Sequence, residues 1–162
     1  MYSEDDSGSA GAQSPLPPPY LVFRPRHQYW EYQLPVSFRA VIPWQGRIPL
    51  LRNYRDEWEL PGGKLELGEE PVDCLRREVR EELAWEVEVG RPCHLWVREV
   101  RAYRHVLMAV YRATYAGDAP PRCSAEHQEV QLFTVAEALG GSVKLGQGYR
   151  DSIRAALELE GR

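Results

Sequence analysis

The stretch LPGGKLELGEEPVDCLRREVREELAW, residues 60–85, decides the fold of this chain. Two adjacent glycines, Gly62 and Gly63, stand upstream of three closely spaced glutamates, which are Glu78, Glu81 and Glu82. Glycine has no Cβ, so a backbone carbonyl in such a turn can approach an ion closely. Hard divalent cations take clustered oxygen ligands. A glycine turn beside an acidic cluster therefore indicates a cation site.

The residues that follow the turn predict a helix with one apolar face. Pro71 suits the first helical position, where its missing N–H leaves no hydrogen bond unmade. Four apolar residues then recur at spacings of three and four, namely Val72, Leu75, Val79 and Leu83. At about 100° per residue, the three glutamates fall on the side opposite this apolar stripe. Acidic side chains at such spacings repel one another by a few tenths of a kcal/mol per pair, which a cation would relieve. The alternative is a solvated acidic face paired with neighbouring arginines.

The spacing within this stretch resembles the Nudix box, G-x5-E-x7-R-E-U-x-E-E-x-G-U, in which U is a bulky aliphatic or aromatic residue. Gly63 takes the place of the first glycine, Glu69 that of the first glutamate, and residues 77–85 match the remainder except at Ala84. The family has glycine there, which usually permits a positive φ just past the helix. We expect Ala84 either to cost on the order of 1 kcal/mol in that conformation or to accompany a different turn.

The resemblance implies both a fold and an activity. The expected fold is a Nudix-type α/β/α sandwich with a mixed β-sheet, formed as a single domain by residues 20–162. The expected activity is that of a pyrophosphohydrolase that depends on a divalent metal, Mg²⁺ or Mn²⁺. Such an enzyme cleaves the phosphoanhydride of a nucleoside diphosphate linked to another moiety, through water attack on phosphorus.

The resemblance also implies metal ligands. Glu78 and Glu82 would bind a divalent metal together with the backbone carbonyl of Gly62. Glu81 would bind a second metal or activate water. Of these, Glu81 and Glu82 are the expected catalytic residues.

Further residues would support the site or complete it. By resemblance, Glu69 and Arg77 would hold the loop and helix in place by pairing with each other, next to Gly63. Family members often add a carboxylate from a loop after the central strands. In SAEHQEVQLF, Glu126 and Glu129 are the candidates, and Glu129 is preferred. The alternative for either is an ordinary exposed glutamate.

The substrate has few indicators in the sequence. Tyr103 lies eighteen residues past the box, a region where a tyrosine accompanies dinucleoside polyphosphate hydrolysis in some family members. Trp58 is a second candidate for substrate binding, by stacking on a base, and Trp44 and Tyr54 offer the same chemistry. Packing in the core or at its rim is the alternative for each. No part is assigned to the histidines, which are His27, His94, His105 and His127.

The rest of the chain reads as a tail and a series of strands. Residues 1–19 are rich in Ser, Gly, Pro and acid and predict a disordered tail. The aromatic segment YLVFRPRHQYWEYQLP predicts an edge strand, with single-stranded nucleic acid binding as the alternative. VSFRAVIP and RIPLLRN predict a hairpin around Gln45-Gly46. EWEL, HVLMAVYRATY and QEVQLFTV predict a short, a central and a last strand.

Two short helices are expected near the C-terminus. Thr134 and Glu137 form a capping-box pair before a helix that ends at Gly140-Gly141. A terminal helix then carries one apolar stripe, which contains Ile153, Ala156 and Leu157.

Composition limits the function classes. The 162 residues are 43% hydrophobic and 27% charged, which suits one globular domain. The net charge of -4 argues against binding a nucleic acid duplex through a positive field. Small anionic substrates stay compatible with it, because a bound cation reverses the local sign.

The three cysteines and the absence of targeting patterns favour a cytoplasmic protein. Cys74, Cys93 and Cys123 are an odd number without a CxxC pair, which indicates free thiols. No apolar run approaches the roughly 20 residues that span a bilayer, so no membrane partner is expected. A homodimer is left open.

Two other function classes compete with the hydrolase. One is a Nudix module that senses a nucleotide without turnover, against which the complete set of glutamates argues. The other is a structural or interaction domain with an acidic helix, which would predict no stabilisation by divalent metals.

Overall fold

The computed structural model describes residues 21–102 and 104–158, and these form nine strands and three helices. In chain order the elements are β1 Leu21–Arg24, β2 Tyr29–Tyr32, β3 Val36–Val41, β4 Arg47–Arg52, β5 Trp58–Glu59, β6 Gly62–Lys64, α1 Pro71–Leu83, β7 Glu88–Arg101, β8 Arg104–Thr114, β9 Glu129–Thr134, α2 Val135–Leu139 and α3 Gln147–Glu158.

Two sheets lie between helices. The larger sheet has the order β6-β3-β8-β7, with β3 parallel to β8 and the outer pairs antiparallel. The smaller sheet, β5-β4-β9, is antiparallel. One buried cluster lies under α1 and a second lies under α2 and α3. This α/β arrangement with a mixed sheet confirms the predicted fold class.

Strand β8 is the central strand that its apolar sequence predicts. It bonds to β3 on one edge and to β7 on the other. Its side chains alternate between the two buried clusters: Met108 and Val110 pack toward α3, whereas Ala109 and Ala113 pack toward α1. Burial on both faces explains why the strand shows no polar alternation.

The predicted hairpin of β3 and β4 is wrong, although its turn is present. Gln45 and Gly46 have φ of 50° and 74°, and Trp44 and Arg47 exchange backbone hydrogen bonds of 2.8 and 2.9 Å around them. The strands nevertheless diverge into different sheets. Both edges of β3 are already bonded, to β6 and β8, so β4 pairs with β5 and β9 instead.

The aromatic segment forms two strands rather than one edge strand. β1 and β2 pair antiparallel as a separate two-stranded sheet, in which the rings of Phe23 and Trp30 lie 5.4 Å apart. Strand β7 had no counterpart in the sequence interpretation. Its register with β8 shifts twice between Val89 and His94, around Pro92. These irregularities interrupt the alternation of inward and outward side chains by which a strand is identified in a sequence.

Both C-terminal helices form as predicted. Thr134 Oγ1 accepts a hydrogen bond from the N–H of Glu137, and a Glu137 carboxylate oxygen accepts one from the N–H of Thr134. α3 buries Tyr149, Ile153 and Ala156 on one face. Within the described residues, no helix combines the length and apolar character that crossing a bilayer requires. The predicted tail, residues 1–19, lies outside the described residues.

Candidate active site

Strand β6 brings both glycines of the turn into close contact with neighbouring groups. Gly62 has φ of +131°, and a Cβ there would overlap the backbone carbonyl of Phe38 on the neighbouring strand. A Cβ on Gly63 would overlap the carboxylate of Glu78. The N–H of Gly62 donates to Glu82 Oε2 at 2.7 Å. The two glycines thus allow β6 and α1 to meet at the glutamates.

Helix α1 begins at Pro71, as predicted. Ala84, the residue that follows the helix, adopts the left-handed turn that is usual for glycine. Ala84 has φ of 57° and ψ of 31°, and its N–H donates to the carbonyl of Arg80 at 3.0 Å. The first of the two expectations for Ala84 is therefore the one observed: an alanine occupies the left-handed region where glycine is favoured.

The expectation that all three glutamates lie opposite the apolar stripe is wrong. Glu82 is only 4% exposed and belongs to the buried face of α1. Seven residues separate it from Leu75, so the two side chains differ by about 20° around the helix axis. The Glu78 side chain is 14% exposed, whereas that of Glu81 is 58% exposed. The cluster therefore runs from the core to the surface.

Burial dominates the charge state of the inner glutamates. It raises the pKa of Glu82 to about 7, against the lowering effects of Arg39, the Gly62 N–H and His127. It also raises the pKa of Glu78, against the effect of Arg77. Repulsion from Glu81 further raises the pKa of Glu78, and repulsion from Glu78 further raises the pKa of Glu82. Negative charge at this position is undercompensated by the protein itself.

Arg77 links the acidic residues of loop and helix. Its guanidinium donates to both carboxylate oxygens of Glu69, at 2.8 and 3.1 Å. It also donates to Glu78 at 2.9 Å and to Glu81 at 3.4 Å. The hydrogen bonds from Arg77 lower the pKa of Glu69 to about 2. The structure brings together the pair that was expected to support the site.

A second group of charged residues, missed in the sequence, lies beside Glu82. The Glu59 carboxylate is 3.3 Å from His127 Nε2, 3.7 Å from Arg39 and 3.5 Å from Arg98. Burial alone would raise the pKa of Glu59, but the His127 hydrogen bond and the two arginines lower it to about 2. The signal available was the position of Glu59 in the short EWEL strand, three residues before Gly62.

His127 belongs to this group, although no function was predicted for any histidine from the sequence. Its Nε2 lies 3.7 Å from Glu82 Oε1 as well as near Glu59. The hydrogen bond to Glu59 raises the pKa of His127, and burial opposes that effect. A charged His127 would lie between two carboxylates.

The remaining predicted residues lie elsewhere or are not described. Glu129 begins β9, where its carboxylate pairs with Arg52 at 3.1 Å. Glu126 is exposed in the loop before it. Trp58 packs edge-on against Phe133 at 4.8 Å between ring centroids, in line with the packing alternative. Tyr103 lies outside the described residues.

The acidic residues fit a divalent cation by their chemistry. Within residues 21–102 and 104–158, no three His, Cys, Asp or Glu side chains already converge as a metal site. The ion pairs of Arg77 account for this, because they hold the carboxylates of Glu78 and Glu81. Glu78 and Glu82 still offer carboxylate oxygens beside the Gly62 turn, and their raised pKa values mark the uncompensated charge that a hard cation would neutralise.

A cavity of about 540 Å³ opens beside these residues. Arg39 and Glu59 line it at the glutamate side, and Lys64, which follows the glycines, lines it as well. The Tyr54 side chain is 76% exposed and forms part of its wall. The size and position suit a small-molecule substrate.

Comparison with known proteins gives a consistent result. The profile of the NUDIX domain family matches residues 34–155. A MutT-like protein from Streptomyces ambofaciens is 31% identical over 120 residues, which cover 74% of this chain and 73% of that protein. The E. coli ORF135 protein structure is 27% identical with a TM-score of 0.62, covering 79% of this chain and 91% of that one. A MutT NUDIX hydrolase from Burkholderia pseudomallei is 25% identical with a TM-score of 0.63, over 76% and 98% of the two chains.

Proposed function

Because this chain belongs to the NUDIX domain family and is a Nudix pyrophosphohydrolase, we propose that it acts on a nucleoside diphosphate linked to another moiety. Water would attack phosphorus and break the phosphoanhydride bond, with a divalent cation, Mg²⁺ or Mn²⁺, in the site. The observation that carries this proposal is the buried Glu82 carboxylate. It accepts a hydrogen bond from Gly62 and has a pKa raised to about 7 by burial. A cation at this carboxylate would supply the missing positive charge.

Each glutamate has a role that matches its exposure. Glu78 and Glu82, the two less exposed glutamates, would hold the cation together with the backbone carbonyl of Gly62. When bound, the cation would neutralise phosphate charge and lower the pKa of the attacking water. The Glu81 side chain is 58% exposed, so its carboxylate would be accessible to take the proton of that water or to hold a second cation. Arg77 keeps Glu78 and Glu81 in place through its ion pairs.

The substrate would enter through the cavity of about 540 Å³. Tyr54 presents its ring to this space, and stacking on such a ring is a common way to hold a base. We keep Glu129, which would have to leave Arg52 to reach a cation, as a proposed additional carboxylate. Tyr103 and Trp58 stay proposals for substrate binding.

The experiment is hydrolysis of pooled nucleotide derivatives with Mg²⁺. The pools contain ADP-ribose, nucleoside triphosphates, nucleotide sugars and dinucleoside polyphosphates. We expect one pool to be consumed, EDTA to abolish the reaction, and Glu82→Gln to reduce the rate by about 100-fold or more. Glu88→Gln, at the exposed start of β7, is the matched control and should retain full activity. No turnover, together with thermal stabilisation by a nucleotide, would replace the hydrolase by a nucleotide-sensing module.

The cysteines indicate the compartment in which the protein works, and its assembly is a matter for experiment. Cys74, Cys93 and Cys123 are all free thiols, which suits a reducing compartment such as the cytoplasm. Light scattering across a concentration series will show whether the chain forms a homodimer.

A further inference from the structure

The cavity beside the glutamates is strongly cationic. Its walls hold six Lys and Arg side chains against a single carboxylate, that of Glu59. The six are Arg39, Arg55, Lys64, Arg98, Arg101 and Arg104. This local excess contrasts with the net charge of -4 of the whole chain. An anionic ligand is the chemical class that such a surface attracts.

Three of the six cations are already engaged by the protein. Glu59 pairs with Arg39 and Arg98, and Glu57 pairs with Arg98 and Arg55. Arg39 also donates to the carbonyl of Leu60 at 2.9 Å. These contacts fix the side chains of Arg39, Arg55 and Arg98 in the cavity wall.

The other three, Lys64, Arg101 and Arg104, form no salt bridge within the part of the chain that the structure describes. Arg101 and Arg104 are the last cross-strand pair of β7 and β8. Like charges directly opposite each other in a sheet are destabilising, so this pair gives the fold nothing. Lys64 lines the same cavity from strand β6. The three unpaired cations therefore share one cavity with Glu59, which His127 connects to Glu82.

We infer that the substrate carries at least three consecutive phosphates, and that the phosphates beyond the cleaved bond lie against Lys64, Arg101 and Arg104. The inference rests on the proposed function. The two phosphates of a diphosphate-linked substrate would lie at the glutamates and their cation. Such a substrate leaves the three basic side chains without an anion, whereas a longer phosphate chain extends along them.

The expected effect follows from Coulomb attraction. One cation–phosphate contact at about 4 Å in water corresponds to about a fivefold change in affinity. Removing both arginines should therefore weaken binding of a long phosphate chain by about tenfold once salt screening is included. A substrate with two phosphates should be nearly unaffected, since its phosphates lie at the glutamates.

The test uses Arg101→Gln/Arg104→Gln against Arg91→Gln/Arg154→Gln. The control pair lies outside the cavity and removes the same charge. Calorimetry at one fixed concentration of free Mg²⁺ measures binding of inorganic tripolyphosphate and pyrophosphate, and the control pair accounts for the heats of chelation and turnover. Steady-state kinetics with Mg²⁺ then compares kcat/KM for nucleoside triphosphates and tetraphosphates with that for a nucleotide sugar.

We expect tripolyphosphate to bind at least tenfold more tightly than pyrophosphate, and the cavity variant to remove that preference while the control keeps it. We expect the same variant to lower kcat/KM for the longer nucleotides alone. Equal binding of the two anions, or equal effects of the two variants, would overturn the inference and show an ordinary solvated hairpin end. Hydrolysis confined to diphosphate-linked substrates would also overturn it and leave the hydrolase intact. A tripolyphosphate preference without any hydrolysis would support the anion site and refute the proposed function.

Discussion

Replacing Ala84 by glycine should stabilise the protein. Ala84 has φ of 57°, a left-handed conformation that costs an L-residue about 1–2 kcal/mol and costs glycine almost nothing. Its side chain is exposed, so truncation removes no packing. Glycine also gives the unfolded chain more freedom, which opposes the gain by about 0.4–1 kcal/mol. The net expectation is a gain of about 0.5–1 kcal/mol.

The assay is urea unfolding followed by circular dichroism, with a thermal scan in parallel. For a chain of this size, the gain corresponds to a rise in Tm of about 1–4 °C, with an unchanged urea m-value. Activity should be unchanged, because the alanine already holds the turn in which glycine is usual.

Ala136→Gly is the control of opposite sign. Ala136 is exposed in α2 and does not have a positive φ, so glycine there should destabilise by about 0.5–1 kcal/mol. If both variants lose stability to a similar extent, the strain assigned to Ala84 does not exist and the reasoning fails.

Three further predictions concern the site. Glu82→Gln should flatten the pH dependence of stability in EDTA, because the folded pKa of Glu82, about 7, lies above the ordinary 4.5 and the wild type should lose up to about 3 kcal/mol of unfolding free energy as the pH rises through that window. Urea midpoints at pH 5 and 7.5 will measure this loss. Gly62→Ala should destabilise by about 3 kcal/mol or more because its Cβ overlaps backbone, whereas Gly68→Ala, with φ of +80° and open space, should cost about 1 kcal/mol; similar losses in denaturant unfolding would contradict this. Arg77→Lys should raise the Mg²⁺ concentration for half-maximal activity by about tenfold, since lysine cannot reproduce the two-point contact with a carboxylate, and an unchanged Mg²⁺ titration would remove Arg77 from its supporting role.

The parts of the fold that the sequence predicted are those written in local spacing. The helix start at Pro71 and the capping box of Thr134 and Glu137 each depend on residues within one turn of each other. The positive φ expected at Ala84 also follows from its place at the end of α1. Local geometry of this kind needs no knowledge of the partner elements.

Most of the failures are contacts that only the tertiary structure defines. Glu82 is the exception, because its seven-residue spacing from Leu75 already places it beside the apolar stripe, although its charge indicated an exposed position. The contact of His127 with Glu59 joins positions 68 residues apart. The turn at Gln45-Gly46 was predictable, but which strand β3 would pair with depended on β8, far along the chain.

The turn end of the β7–β8 hairpin is structurally separate from the helix that carries the glutamates. The glutamates belong to α1, while Arg101 and Arg104 belong to the margin of the sheet, and the two groups share no element. Turns of hairpins tolerate changes of length and composition better than buried elements do. If Arg101 and Arg104 contact phosphate as proposed, diversifying this turn would yield variants that select phosphate chains of different lengths, while every member of such a library would keep α1 and its glutamates unchanged.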